Sequence, residues 1–272
     1  QEVFQRISEG VAATLGSGPE RRSVSAASAP ASLRTWVARQ ELDAVITLAR
    51  GPLDLARDAE LRIPLVAGAA TFTPADTQGV EALTVTPDPD LVFEHLQRIA
   101  PATDRVSVVY SPTRDGWLID IAREAAGRHG IELSPHAADD LSSSAVIHRD
   151  LLSPPARPGT ALWLLRNESL VDRRTLLPLI LERGWNQDRI AFSNNPSHVK
   201  RGILFALYPD QRAMGRRLAE LALGRLEDPA RATRLHMLRA VRIALNLRTA
   251  GHLGLQLSPE LRRSLDVVFP VQ

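Results

Sequence analysis

The chain has 272 residues, of which 44% are hydrophobic, 24% charged and 4% aromatic. This is longer than the ~100–200 residues typical of one domain, so we expect two lobes around two modest cores, and a peptide or a disordered chain is excluded. The 33 basic and 31 acidic residues leave a formal net charge of +2. Because the two signs are interspersed, the sequence argues against a nucleic-acid-binding surface, which needs a patch of one sign.

The chain contains no cysteine, which removes thiol catalysis, zinc–thiolate sites, iron–sulfur clusters and disulfides. No run of about 18 apolar residues occurs, so no membrane span is predicted. None of the seven histidines forms an H-x-x-x-H or H-E-x-x-H pair, and the nucleotide-binding fingerprints are absent. We therefore predict neither a metal site nor a cofactor. The first residue is Gln1 rather than Met, which is compatible with a removed signal peptide.

In chain order, short apolar runs alternate with segments in which apolar residues return every three or four positions. The predicted strands are residues 44–48, 64–67, 106–110, 161–165, 190–193 and 203–207. The predicted helices are residues 33–40, 91–99, 116–129, 170–183 and 212–223. Such alternation indicates parallel βαβ units with both sheet faces covered, an α/β fold. Residues 82–90 are predicted to be an extended crossing between two lobes, and alternation over residues 241–248 predicts a half-buried strand.

Polar loops follow three of the predicted strands, at residues 111–116, 166–169 and 194–197. Open α/β sheets bind ligands at the carboxyl ends of their strands, so these loops are the predicted ligand-binding region. Trp163 lies inside an apolar run and is predicted to be a core residue. Trp117 begins a helix beside a polar loop, and the sequence leaves open whether it lines a ligand cleft. Ser197 and Lys200 fit the catalytic S-x-x-K pattern, but the companion motifs are missing.

Three segments of the last third resemble one family. They are SNNPSHVKRGILFALY at residues 193–208, MGRRLAELA at 214–222 and NLRTAGHLG at 246–254. Together they are similar to the signature of the ABC-transporter substrate-binding proteins with the type I periplasmic-binding fold, whose better-known members take up aromatic and other amino acids. VVYSP at residues 108–112 and ALWLLRN at 161–167 resemble the strand ends of the same family.

This resemblance implies two Rossmann-like lobes with parallel sheets, joined by three interlobe crossovers. Lobe 1 is expected at residues 1–86 plus 196–235, and lobe 2 at residues 87–195 plus 236–272. Family members usually have a strand before the helix that starts near Phe4, so an element of the first lobe is expected to be missing or trimmed. Closure of the lobes around a ligand in the interlobe cleft requires no reaction, and the chain is not expected to be an enzyme.

The implied function is an extracytoplasmic solute-binding protein, periplasmic after loss of its signal peptide, that delivers an amino acid or other small polar solute to an ABC permease. The alternative is a periplasmic sensory subunit that regulates a membrane signalling protein. The effector half of a transcription regulator and an enzyme of unrecognised type are weaker alternatives. The ligand-binding candidates share a position at strand carboxyl ends and are Thr47, Thr71, Ser111, Asp115, Trp117, Asn167, Glu168, Ser193, Asn195 and Tyr208.

Two departures from the family bear on the ligand. Asn167 stands where amino-acid-binding relatives place an acidic residue, and Thr73-Pro74 stands where they have Asp-Pro. A buried ammonium without a counter-charge is costly, and only Asp115 and Glu168 among the candidates would supply one. We therefore predict weak or absent binding of free aromatic and branched amino acids.

Overall fold

The computed structural model describes residues 2–16, 18–25, 27–153, 155 and 157–270. Its α-helices are α1 (Glu2–Leu15), α2 (Pro30–Arg39), α3 (Arg50–Asp58), α4 (Pro89–Ile99), α5 (Pro112–Arg128), α6 (Leu141–Leu151), α7 (Leu176–Asn186), α8 (Pro196–Arg201), α9 (Gln211–Glu227), α10 (Leu247–His252) and α11 (Pro259–Arg263). Its strands are β1 (Val45–Leu48), β2 (Leu65–Ala70), β3 (Glu81–Pro87), β4 (Arg105–Tyr110), β5 (Glu132–Ala137), β6 (Thr160–Leu164), β7 (Ile190–Ser193), β8 (Phe205–Pro209), β9 (Leu235–Leu238), β10 (Val241–Asn246) and β11 (Val267–Phe269).

The chain divides into two compact units, Gln1–Thr86 with Pro209–Ala240 and Pro87–Tyr208 with Val241–Gln272. It passes from one unit to the other three times, as the α/β two-lobed architecture predicts. The second passage differs from the expected boundary, because residues 196–208 belong with the second unit. The physical reason is that β8 pairs with β7 through Phe205 and Phe192, so α8 and β8 extend the second sheet. Residues 236–240 likewise stay with the first unit, where β9 completes the first sheet.

The first unit contains a four-stranded sheet in the order β1-β2-β3-β9. Strands β1, β2 and β3 are parallel, with Val45 opposite Leu65 and Val66 opposite Glu81. Leu33 and Leu53, on α2 and α3, pack with Phe72 and Ala67 into a buried cluster. The extended crossing predicted over residues 82–90 begins as strand β3, which lies between β2 and β9, and the chain leaves the first unit after Thr86.

Helices α1 and α9 approach so closely that their backbones touch at two glycines. A Cβ atom at Gly10 would lie 2.0 Å from the Arg212 carbonyl oxygen, and one at Gly215 would lie 1.9 Å from the Ile7 carbonyl oxygen. Only glycine permits this approach, because any other residue would place a carbon atom inside the facing backbone. Arg212 also pairs with Glu9 at 2.7 Å on the solvent side of the contact.

A buried carboxylate lies where β9 joins the sheet. Glu81 is fully buried, and its Oε1 forms hydrogen bonds with His236 and, at 3.3 Å, with Arg231. Burial lowers the pKa of His236, and the contact with Glu81 opposes that shift. The β9 segment thus contributes both backbone pairing, through the Ala82 N–H and the Arg234 carbonyl oxygen (3.1 Å), and polar partners for Oε1 of the buried carboxylate.

The second unit contains a seven-stranded sheet in the order β11-β10-β8-β7-β6-β4-β5. The pairs β4–β5, β4–β6, β6–β7, β7–β8 and β10–β11 are parallel. Trp163 is fully buried and stacks on Phe192 at a centroid distance of 6.1 Å, while Phe192 stacks on Phe205 at 5.1 Å. The position of Trp163 agrees with its prediction as a core residue.

Two sequence-based expectations in the second unit are wrong. The helix predicted from residue 170 begins at Leu176, because the Asp172 side chain accepts hydrogen bonds from the backbone N–H groups of Thr175 (3.0 Å) and Leu176 (2.8 Å) and holds residues before it in a turn. Residues 243–246 are buried on both faces, not half-buried as the alternation predicted, because β10 lies between β8 and β11 inside the sheet.

Candidate functional site

Three neighbouring strands of the second unit end in the polar loops that the sequence singled out. The strands β4, β6 and β7 are adjacent and parallel, so the loops that follow them lie side by side at one edge of the sheet. Parallel strands align the carboxyl ends of successive βαβ units, and ligands of open α/β sheets bind at that edge. The loops contain two hydrogen-bonded clusters, one around Asp115 and one around His198.

The first cluster joins the loops after β4 and β6. The Asp115 carboxylate accepts hydrogen bonds from the Asn167 side-chain amide (3.0 Å) and from the backbone N–H of Ser111 (3.1 Å). The Asn167 side-chain oxygen in turn accepts from the hydroxyl (2.6 Å) and the N–H (3.2 Å) of Ser169. Asn167 is almost fully buried and Asp115 half-buried. Both of these donors to Asp115 are uncharged groups. The cluster therefore orients the Asp115 carboxylate but provides no positive charge to compensate it.

The second cluster joins the loop after β7 to the carboxyl end of β6. Asn195 Nδ2 lies 3.4 Å from His198 Nε2, His198 Nδ1 lies 2.9 Å from Ser193 Oγ, and the Ser193 hydroxyl donates to the Leu164 carbonyl oxygen at 3.1 Å. This order of donors assigns a neutral imidazole protonated at Nδ1. Burial, followed by the nearby Arg173 and Arg201 charges, lowers the pKa of His198 to about 4, which agrees with the neutral form.

The remaining candidates of the second unit are not held in these clusters. The Trp117 indole N–H donates to the Arg114 carbonyl oxygen at 2.9 Å, within its own helix turn. Glu168 is exposed and pairs with Arg173 at 3.0 Å, so its charge is compensated locally. Tyr208 is half-buried in β8 and packs against the cluster of Val199, Ala206 and Ala244.

The first unit has its own polar edge, after β1 and β2. Thr47 is buried and its hydroxyl donates to the Val66 carbonyl oxygen at 3.3 Å. Thr71 is exposed, and its carbonyl oxygen accepts from Arg50 at 3.0 Å. The Arg50 guanidinium makes two hydrogen bonds to Asp76, at 2.7 and 3.0 Å. Thr73 donates to Asp76 through its N–H (2.8 Å) and hydroxyl (3.0 Å). Chiefly because of Arg50, the pKa of Asp76 falls to about 2.

Backbone strain marks the same edge of the first unit. Ala49, directly after β1, has φ of 84°, and Ala69, near the end of β2, has φ of 60°. Residues other than glycine adopt such angles at a cost of roughly 1–3 kcal/mol, and they concentrate where binding sites need a particular backbone path. The register between β2 and β3 also shifts between Ala67 and Ala70. These observations place an irregular, polar edge at the carboxyl ends of β1 and β2.

Sequence reasoning missed three residues that organise these edges, namely Arg50, Asp76 and His198. The N-P-S-H segment already contained a signal for His198, since Asn195 caps α8 by accepting from the Ser197 N–H at 3.0 Å. Arg50 and Asp76 are 26 residues apart, and no local pattern pairs them. Within the described ranges no group of three or more His, Asp or Glu side chains is arranged to hold a metal ion.

Known structures share this fold. A ligand-free, open substrate-binding protein from Clostridium difficile, CD0873, covers 100% of this chain and 96% of its own with a TM-score of 0.71 at 12% identity. An ABC domain in complex with L-Trp from Streptococcus pneumonia covers 98% and 95% with a TM-score of 0.61 at 14% identity. A conserved domain protein from Vibrio cholerae covers 98% and 95% with a TM-score of 0.57 at 16% identity.

The fold and the two polar edges define a two-lobed α/β protein of the type I periplasmic-binding architecture. At these identities the similarity concerns the fold. No protein-family model matches the chain, and no curated protein sequence matches it either. In the part of the chain that the structure describes, no helix is both long and apolar enough to cross a membrane.

Proposed function

We propose that this chain is an extracytoplasmic solute-binding protein, located in the periplasm, that captures a small polar solute and delivers it to an ABC importer. The observation that carries the proposal is the pair of hydrogen-bonded clusters around Asp115 and His198, at the carboxyl ends of three adjacent strands. Solute-binding proteins share the fold. The proposed activity is binding without reaction. Ser193 and His198 are buried, and they form hydrogen bonds with each other and, through Ser193, with the Leu164 carbonyl oxygen.

The clusters also favour a class of solute. Asp115 provides a carboxylate that only uncharged groups hold, whereas Glu168 is paired with Arg173 and Asp76 with Arg50. The Asn167 amide holds Asp115, and the hydroxyl groups of Ser111 and Ser169 belong to the same loops. Amides and hydroxyls pair with donors and acceptors alike. The solute is therefore a small molecule rich in hydroxyl or amide groups, and a zwitterionic amino acid would have Asp115 as its one ammonium partner in the cluster.

Native mass spectrometry of protein purified without denaturation tests the proposal directly. We expect an additional mass of a small solute, and a thermal shift when that solute is added back after removal. A ligand at ~1,000 times its Kd stabilises the folded chain by about 4 kcal/mol, which gives a clear rise in melting temperature.

The variant Asp115→Asn removes the charge of the first cluster, and we expect it to weaken solute binding at least tenfold, about 1.4 kcal/mol. Asp120→Asn is the matched control, because Asp120 lies on the same helix, is exposed and pairs with the exposed Arg123. The proposal is refuted if no solute is retained or rebound, or if the control weakens binding as much as Asp115→Asn.

A sensory subunit of a membrane signalling protein is the second candidate. It is favoured by Asn167, which stands where the amino-acid-binding relatives place an acidic residue and which here holds Asp115. The solute would then be a signal rather than a nutrient. Neighbouring genes separate the two functions, since a permease and an ATPase indicate import, whereas a kinase or cyclase indicates sensing.

A further inference from the structure

A groove of about 480 Å³ lies in the second unit, at the opposite end of the sheet from the polar loops. Its lining includes Ala191, at the start of β7, and Ile203 and Leu204, which directly precede β8. The polar loops instead follow the carboxyl ends of β4, β6 and β7. Helices α7 and α10 and the last turn of α8 form its walls. This groove is therefore separate from the candidate solute site.

One wall of the groove is aromatic. The rings of Trp185 and His252 stack at a centroid distance of 3.7 Å and an interplanar angle of 3°. His252 is fixed in this position, since its Nε2 lies 3.1 Å from an Asp188 carboxylate oxygen and 2.9 Å from the Trp185 carbonyl oxygen. Trp185 remains 37% exposed. An aromatic pair that remains partly exposed offers apolar contact area to an apolar or aromatic ligand.

The groove has an excess of positive charge. Arg189, Lys200, Arg201 and Arg248 line it, against the single lining carboxylate of Glu182. The Arg248 guanidinium lies over the Trp185 ring at 5.4 Å, and Arg201 donates to the Arg173 carbonyl oxygen at 2.8 Å.

Lys200 is exposed and makes no hydrogen bond or ion pair within the residues described. Lys200 lines the same groove as an apolar floor made of Ile180, Ala191, Ile203 and Leu204. An uncompensated cation next to apolar surface is the arrangement that small ligand sites use to orient an anionic group.

We propose that this groove binds a small organic anion whose apolar body packs against the Trp185–His252 pair and the apolar floor, and whose carboxylate, sulfonate or phosphate meets Lys200 and Arg248. The cations provide charge-assisted hydrogen bonds, and the aromatic wall and apolar floor bury the ligand body. The groove then constitutes a second ligand site on the chain, one that does not depend on the function proposed for the polar loops.

The probe is naphthalene-2-carboxylate, and its neutral counterpart naphthalene-2-methanol has nearly the same shape. In calorimetry we expect saturable binding of the carboxylate with a Kd of about 1 mM or below, the range that ligand efficiency allows for a fragment of this size. The alcohol should bind at least about tenfold more weakly, because it lacks the charge that Lys200 and Arg248 recognise. Raising the salt concentration should weaken binding of the carboxylate but leave binding of the alcohol unchanged.

Lys200 also offers a specific reporter, since it is the only lysine among the 272 residues. Reductive methylation with ¹³C-formaldehyde keeps its positive charge and gives one dimethyl-lysine NMR signal. We expect this signal to move in a saturable manner as naphthalene-2-carboxylate is added, with the same Kd as the calorimetric titration. Lack of any movement while heat is still released would place the probe elsewhere and would overturn the proposal.

Variants locate the probe. Lys200→Met and Trp185→Ala should each weaken binding by about fivefold or more, since both side chains are exposed and one provides charge and the other ring surface. Arg123→Met removes an exposed cation on α5, outside the groove, and should leave binding unchanged. Asp115→Asn should also leave it unchanged. The proposal is contradicted if the alcohol binds as tightly as the carboxylate. It is also contradicted if Arg123→Met weakens binding as much as Lys200→Met, or if Asp115→Asn is the one variant that weakens it.

Discussion

Replacing Gly215 with alanine should loosen the first unit, because the α1–α9 contact leaves no room for one more carbon. The added Cβ would lie 1.9 Å from the Ile7 carbonyl oxygen, about 1.4 Å closer than a usual carbon–oxygen contact of about 3.3 Å. The opposing atom belongs to a helical backbone, so it has no rotamer through which to retreat. Helices α1 and α9 must therefore move apart where their backbones meet.

The expected size of the effect follows from two opposing contributions. Overpacking of this kind costs about 1–3 kcal/mol, whereas alanine gains about 1 kcal/mol over glycine in helix propensity. The net loss of unfolding free energy in Gly215→Ala is therefore up to about 2 kcal/mol. Gly127 near the end of α5 is the matched control, because a Cβ there meets nothing within 4 Å, and Gly127→Ala should gain up to about 1 kcal/mol.

Hydrogen exchange followed by mass spectrometry is the suitable assay, because it reports the two units separately. Amides of α1 and α9 should exchange roughly tenfold faster in Gly215→Ala, since a tenfold change corresponds to about 1.4 kcal/mol. Amides of β6 and β7 in the second unit should change little. The packing argument is refuted if Gly215→Ala protects α1 as well as the wild type does, or stabilises the chain as Gly127→Ala is expected to.

Three further predictions concern titratable groups. Arg50 lowers the pKa of Asp76 to about 2 from 3.8, so this ion pair should stabilise the first unit above pH ~4 by about 1–2 kcal/mol and lose that contribution towards pH 2. Urea unfolding of Asp76→Asn should show a flatter acid limb, and an unchanged limb would contradict the assignment. His198, with its pKa lowered to about 4 from 6.5, should stabilise the chain fully above pH ~6.5 and progressively less down to pH 4; His198→Gln should reduce that slope in thermal melts, and equal slopes would refute it. Asn167→Asp would set a second carboxylate about 3 Å from Asp115, raise the pKa of one of the pair, and lower the melting temperature more at pH 8 than at pH 5; a pH-independent change would contradict the proximity.

The order of helices and strands was readable where apolar runs were long and their flanking residues polar. Strand β5 was not predicted, because none of its residues is fully buried and its sequence therefore lacks an apolar run. Strand β3 escaped because it begins with a glutamate, and a charged residue belongs in a buried strand only once His236 and Arg231 are in place. Those partners come 150 or more residues later in the chain.

The candidate site was predictable in its location but not in its contacts. A polar loop after an apolar run is visible locally, which is why Ser111, Asn167 and Ser193 were selected. The hydrogen bond from Asn167 to Asp115 spans 52 residues, and it exists because β4 and β6 are neighbours in the sheet. Sequence spacing contains no record of that adjacency, so the compensation of Glu168 by Arg173 and the neutral state of His198 required the structure.

The interleaving of the two units has a consequence for synthesis on the ribosome. The first unit needs α9 and β9, which lie within Pro209–Ala240, and the second needs β10 and β11 from the last 32 residues, Val241–Gln272. The first sheet is not complete until β9 has emerged, and the second is not complete until β11 has emerged. Nascent chains that have not reached these strands expose unpaired strand edges and the face of α1 that α9 covers, the condition in which nascent proteins aggregate and depend on chaperones.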